Sequence, residues 1–266
     1  EAGVRSLSHT VMSDLGPTFA KFFGPEWVGG DSPAGVVCAT INDYLEDYEN
    51  VLVDYYLGKV ALDLTARTVV AFLRSLDKNL NPSSTEKARG KGLKLKQENV
   101  ERILDDMEVV EESLSPRMMG GPRRVGPFAM MDDMKVFLTE GAEPVLEAVA
   151  ATSANIAGSN VVKEGLRRAV EVSVTTVIKA RRTASSLEKV TSKNLLNDCM
   201  EKIDEAMESQ GDSERTAFPG PYDKISLYMQ VFGVKPQSAQ KNTKDEKARR
   251  GTIMHGAAAE EEEEDM

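Results

Sequence analysis

Apolar side chains that return at every third or fourth position, segment after segment, constrain this chain more than any other feature. A face repeating at that period is buried by a helix and by no other regular element. Between 36 and 56 the apolar positions are Val37, Ile41, Tyr44, Tyr48, Leu52 and Tyr55, with Asp43, Glu46, Asp47 and Glu49 between them. Ser32 and Pro33 supply the start, because the hydroxyl can cap and proline tolerates the first helical position. After Gly58 the period resumes at Leu62, Ala66, Val69, Leu73 and Leu76, and it stops before Asn79, Asn81 and Pro82. A third segment over 97–114 carries Val100, Ile103, Leu104, Met107, Val110 and Leu114 on one side and acids on the other, ending at Ser115 and Pro116. Short connections between such helices make antiparallel packing the natural arrangement.

The run MMGGPRRVGP over 118–127 holds glycines and prolines that prevent regular structure, so it reads as a hinge. Helical spacing restarts over 128–139 with Met131, Met134, Phe137 and Leu138, and again from Pro144 with Val145, Leu146, Val149 and Ile156, closed by Gly158. The stretch 161–182 fits two patterns: Val162, Leu166, Ala169, Val170 and Val177 keep the helical period, while Val170, Val172 and Val174 alternate as in a strand. No second strand candidate exists to pair with it, so a lone strand would leave its backbone groups unpaired, and helix is the expectation. Leu195, Leu196, Cys199, Met200, Ile203 and Met207 mark a helix over 194–207, and a short one is expected over 222–232 after an FPGP turn. Beyond 235 the chain is polar, charged and poor in apolar residues, as disordered segments are. The expected division is a first helical bundle over 1–117, a second over 128–235, and a disordered acidic tail over 236–266. Opening on Glu1 and not Met, the sequence is expected to be a piece of a longer chain.

Charge and cysteine content narrow the function. Of the net charge of -10, six negative charges sit in 260–265, which leaves the remainder at only -4. A nucleic-acid binder ordinarily carries a basic excess, so no nucleic acid is expected as partner. Cys38 and Cys199 stand alone in apolar periodic segments, away from His9 and His255, and assemble neither a zinc site nor a disulfide framework. No stretch approaches the roughly 20 apolar residues that span a bilayer.

Chemistry finds no foothold in the motifs. His9 and His255 lie in a frayed N-terminal region and in the tail, so no nucleophile, histidine and acid can be brought together. The SxxK pairs at Ser84 and Lys87 and at Ser186 and Lys189 lack the companion motifs that would give them meaning, and no glycine-rich phosphate cradle is present. No enzyme activity, cofactor or metal is therefore expected. One cluster stands out: Lys87, Arg89, Lys91, Lys94 and Lys96, a basic stretch that could dock on anionic lipid heads, each charge contributing about 1 kcal/mol near a membrane. A solubilising loop is the plainer reading, since only Leu93 and Leu95 accompany it. Tyr44, Tyr48, Tyr55 and Tyr56 read as core aromatics at helical spacing, with a partner-binding groove as the alternative.

TINDYLEDY over 40–48, followed by VVAFLRSL over 69–76, resembles the pair of adjacent helices near the C-terminus of the exocyst subunit of the Sec-six type. The charged connection and the acidic third helix follow in the same order, and the likeness covers roughly 36–114. The resemblance implies an all-α fold of elongated, stacked antiparallel helical bundles with coiled-coil character, forming a rod in a vesicle-tethering complex. It also implies a non-catalytic role in exocytosis and protein transport. The partners it implies are other exocyst subunits, plasma-membrane SNAREs and SM-type regulators, met from the cytoplasm at exocytic sites of the plasma membrane. The alternative is a cortical adaptor that binds acidic lipid through the 87–96 cluster.

Overall fold

A computed structural model of the chain describes residues 2–85, 92–118, 126–156, 163–184, 187, 189–208 and 224–231, and among them every regular element is helical. In order these are α1 (Ala2–Asp14), α2 (Gly16–Phe19), α3 (Pro25–Gly29), α4 (Ala34–Glu49), α5 (Asp54–Leu80) and α6 (Gln97–Leu114), the last running into a 3-10 turn at Ser115–Arg117. Then follow α7 (Ala129–Thr139), α8 (Ala142–Ile156), α9 (Lys163–Thr183), α10 (Lys189–Glu208) and α11 (Lys224–Val231). Residues 1–235 form one compact unit, with a buried apolar cluster that extends from Val11 to Val231. The expected tail over 236–266 lies outside the described residues, as do residues 119–125 of the expected hinge.

The long α5 is the element on which the others converge. It buries Val60, Ala61, Leu64, Ala66, Val69, Val70, Phe72, Leu73 and Leu76, more than one helical stripe, and meets α1, α4, α9 and α11. The helix begins at Asp54, before the expected start after Gly58, and runs through that glycine, which costs about 1 kcal/mol relative to alanine and is carried by packing. The four-residue connection makes α4 and α5 antiparallel, as short connections should. Helices further apart in sequence pair the other way. Met12 meets Thr68, the Phe19 carbonyl meets Ser75 and the Phe22 carbonyl meets Asn79, so the α1–α2 segment runs parallel to α5. Cys38 meets Val109, and Glu46 and Glu49 meet Arg117, so α4 runs parallel to α6.

The N-terminal region read as frayed is in fact α1, held by Val11 and Leu15 in the core. Behind it sits an aromatic cluster that periodicity does not reveal. Phe23 adopts φ of 62°, a left-handed conformation costing about 1–2 kcal/mol for a residue other than glycine. What it gains is contact: its ring lies 5.1 Å from both Trp27 and Phe72 and 5.6 Å from Phe22, mostly edge to face.

Polar groups set the register between the helices. Trp27 Nε1 donates to Asp106 Oδ2 at 2.6 Å, the Arg102 guanidinium lies 4.9 Å above the Trp27 ring, and the same arginine donates to the Gly30 carbonyl. Ser32 accepts the Ala34 N–H at 3.0 Å and so caps α4, one residue outside the expected position. The buried Asp133 of α7 accepts from Thr152 of α8 at 2.9 Å, from Lys224 of α11 at 2.6 Å and from Tyr228 of α11 at 3.0 Å. Arg181 of α9 donates to the Phe137 and Glu140 carbonyls at 3.0 and 2.7 Å, satisfying the C-terminal end of α7. In α9 the helical spacing is the one that packs: Val170, Val174, Val177 and Ile178 are buried while Val172 is partly exposed.

Burial raises the pKa of Asp77, Asp106 and Asp132 above the ordinary carboxylate value. The folded state keeps these protons to higher pH than the unfolded chain, so their contribution is fully present below about pH 3.9 and is lost as pH rises through the folded values. Asp77→Asn keeps a partner for the Thr176 hydroxyl without the buried charge. The Tm of this variant minus that of the wild type is therefore expected to be a few degrees larger at pH 7 than at pH 4; equal differences would refute the assignment. Asp133→Ala strands Lys224 and removes the acceptor of Tyr228 and Thr152, and should cost about 3 kcal/mol in urea unfolding. A loss below about 1 kcal/mol would show that the network does not hold α11.

Candidate interaction surface

Large apolar side chains left in water are few, and four of them fall in six consecutive residues. Val51 is 76% exposed, Val53 65%, Tyr55 63% and Tyr56 52%. The local sequence explains why. The α4 helix closes when the Val51 and Leu52 N–H groups return to the Tyr48 carbonyl, at 3.1 and 2.8 Å. Val53 is extended, with φ -72° and ψ 150°, and α5 starts at Asp54, an acid suited to a first helical turn. Leu52 and Leu57 turn inward against the core, which leaves Val51, Val53, Tyr55 and Tyr56 outside. The rings of Tyr55 and Tyr56 pack edge to face at 5.3 Å, and Lys59 Nζ lies 5.4 Å from the Tyr55 ring.

The tyrosines therefore divide. Tyr44 and Tyr48 are partly buried against the core as expected, whereas Tyr55 and Tyr56 are not core residues, because the turn over 50–53 interrupts the period that was read as one helix over 36–56. Val51 and Val53 were missed for the same reason; their signal is the valine, leucine, valine run that follows Asn50. Beside the turn a crevice of about 230 Å³ is lined by Leu45, Leu57, Gly58, Ala61 and Pro116, with Glu49, Asp54 and Arg117 at its edge. Arg117 spans Glu49 at 2.5 Å and Glu46 at 3.3 Å. Glu49 and Asp54 stand at the crevice, Glu46 reaches it through Arg117, and Asp47 is exposed in the last turn of α4.

Of the basic stretch, Lys87, Arg89 and Lys91 lie outside the described residues, while Lys94 and Lys96 are exposed. They flank Leu95, which is fully buried, and follow Leu93, which is buried as well. The backbone is pinned too: the Leu93 N–H donates to the Asn79 carbonyl at 2.8 Å and the Asn99 side chain to the Lys94 carbonyl at 2.8 Å. Gly92 has φ of +133°, and a Cβ there would meet Pro82 at 2.9 Å, so glycine is required at this approach. The two leucines are thus anchors that hold Lys94 and Lys96 outward. A groove of about 670 Å³ runs between this stretch and α9, past Pro82, Leu93, Lys94, Val172, Thr176 and Lys179.

Reactive groups are arranged otherwise. Burial pushes the Cys38 thiol up to about 11 and the Cys199 thiol up to about 12, so both are protonated and unreactive at neutral pH. Among the described residues no group of three or more His, Cys, Asp or Glu could hold a metal ion, and no helix is long and apolar enough to cross a membrane.

Comparison with known families gives a match to exocyst complex component Sec6 over residues 1–123, a segment that contains α1 to α6, the exposed turn and the basic stretch. No curated protein and no solved structure matches the chain.

Replacing Lys87, Arg89, Lys91, Lys94 and Lys96 together by glutamine tests the basic stretch. If it docks on acidic lipid, sedimentation with phosphatidylserine vesicles should fall at least tenfold, in line with about 1 kcal/mol per charge. Unchanged sedimentation would leave the stretch a solvated loop.

Proposed function

We propose, from the premise that the chain is a Sec6-type exocyst subunit by its residues 1–123, that it is a non-catalytic scaffold of the vesicle tether and acts by binding alone. The family match carries the reading. Two structural features support it: the helices fill their own interior with apolar side chains, and four of the exposed large apolar side chains among the described residues cluster inside the matched segment, at 51–56. In this reading helix ends and turns left out of the core meet other exocyst subunits, plasma-membrane SNAREs and SM-type regulators. The complex so assembled holds a vesicle at exocytic sites on the cytoplasmic side of the plasma membrane. A tether needs a shape that does not yield, and the buried bonds of Asp106, Asp133 and Arg181 fix the helices to one another.

A second reading is favoured by the pinning of Lys94 and Lys96 outward by Leu93 and Leu95: a peripheral adaptor that binds acidic lipid. The two separate in a pull-down of the purified full chain against each purified exocyst subunit and a plasma-membrane SNARE. The scaffold reading expects at least one exocyst subunit to be retained at micromolar concentration, independently of lipid. Retention of none, with binding to acidic vesicles intact, would replace it by the adaptor.

A further inference from the structure

We propose that the turn between α4 and α5 is a docking surface for a basic segment of another exocyst subunit, one that inserts an apolar side chain between flanking lysines or arginines. This rests on the reading of the chain as an exocyst subunit. Three features define the occupant. Val51, Val53, Tyr55 and Tyr56 offer a patch with two tyrosines, a residue type that anchors interfaces with little loss of side-chain freedom. The crevice lined by Leu45, Leu57, Gly58, Ala61 and Pro116, about 230 Å³, has space for one large apolar side chain beside that patch. The rim is acidic: Glu49 and Asp54 edge the crevice, and Glu46 and Asp47 are exposed in the last turn of α4, against Lys59, which already lies on the Tyr55 ring, and Arg117, which already bridges Glu46 and Glu49.

Charge decides among occupants. An anionic membrane would meet the carboxylates of Glu46, Asp47, Glu49 and Asp54 near the point of contact and be repelled. A second copy docking by the same surface would bring two acidic rims together. A basic segment removes the repulsion within the rim, and its arginines can also stack on the exposed tyrosine faces.

Because all four side chains are more than half exposed, substitution there leaves the core untouched, and circular dichroism and Tm should match the wild type. Binding of the full chain to the exocyst subunit it retains should weaken about tenfold in Val53→Ser/Tyr55→Ser, and about tenfold in Asp47→Lys/Asp54→Lys. The second loss should shrink at 0.5 M salt, where rim charges are screened. Tyr55→benzoylphenylalanine, irradiated in that complex, should crosslink to a segment of net positive charge carrying an apolar residue. A crosslink to an acidic segment, to a second copy of this chain or to added phosphatidylserine vesicles overturns the proposal, as does a retained subunit that neither crosslinks nor responds to the substitutions. Retention of no exocyst subunit by the wild type overturns the underlying reading, and the docking surface with it.

Discussion

A helix buried on more than one side has to solve a problem that a surface helix does not, because each polar group it carries is taken from water along with its apolar neighbours. The structure rests on how α5 does this. Its apolar residues alone cover more than a stripe, so partners must close on it from several directions, and α1, α4, α9 and α11 do so. Two of its buried polar residues are satisfied close at hand. The Thr65 hydroxyl returns to the Ala61 carbonyl at 2.8 Å, and Asp63 accepts from Arg67 at 2.7 Å one turn along. Further along, Thr68, Arg74, Ser75 and Asn79 reach outward, to Met12 and to the carbonyls of Val231, Phe19 and Phe22, so the helix also fixes how its neighbours align.

Shape alone would let helices slide, since apolar contact is not directional. Register is fixed where polar side chains cross between elements. Asp106 receives Trp27, Asp133 receives α8 and α11, and Arg181 closes the end of α7. Arg74 does the same for α11, donating to the Val231 carbonyl at 3.4 Å. Leaving a buried partner unpaired costs more than the bond itself contributes, so each crossing excludes alternative alignments more strongly than it stabilises the native one.

Within a segment the sequence was a good guide, and across segments a poor one. The bounds of α6 agree with the apolar period residue for residue, and α9 is helical despite its valines because β-branching lowers helix propensity by only tenths of a kcal/mol. Its Val172 alternation was an accident of composition. The turn at 50–53 was hidden because Leu52 and Tyr55 happen to continue the α4 spacing across it. Nor could α1 be separated from a frayed end, since its burial depends on a face of α5 more than fifty residues away, and its first and last turns lack the charges that mark helix termini. The Phe19 to Trp27 region joins two very short helices, below the length at which a period can be recognised, through a phenylalanine in a conformation that no propensity anticipates. The same limit applies to the basic stretch: alternating Leu93 and Leu95 looked incidental, yet they anchor an extended run whose lysines then have only one side to occupy.

If the chain acts by binding, as proposed, the uncovered ends of its helices matter more than its interior. A core packed around α5 has little use for Tyr55 and Tyr56, which sit at the first turn of that helix before its neighbours have closed on it. Two adjacent exposed tyrosines and two valines in a turn burden solubility unless something covers them. The exposed acids beside them are one way to carry that burden in the free chain, because like charges keep copies apart while leaving the apolar centre open. In the proposed docking surface, acids beside an apolar tip would do two things with one set of residues: keep copies of the chain apart and favour a partner of opposite charge.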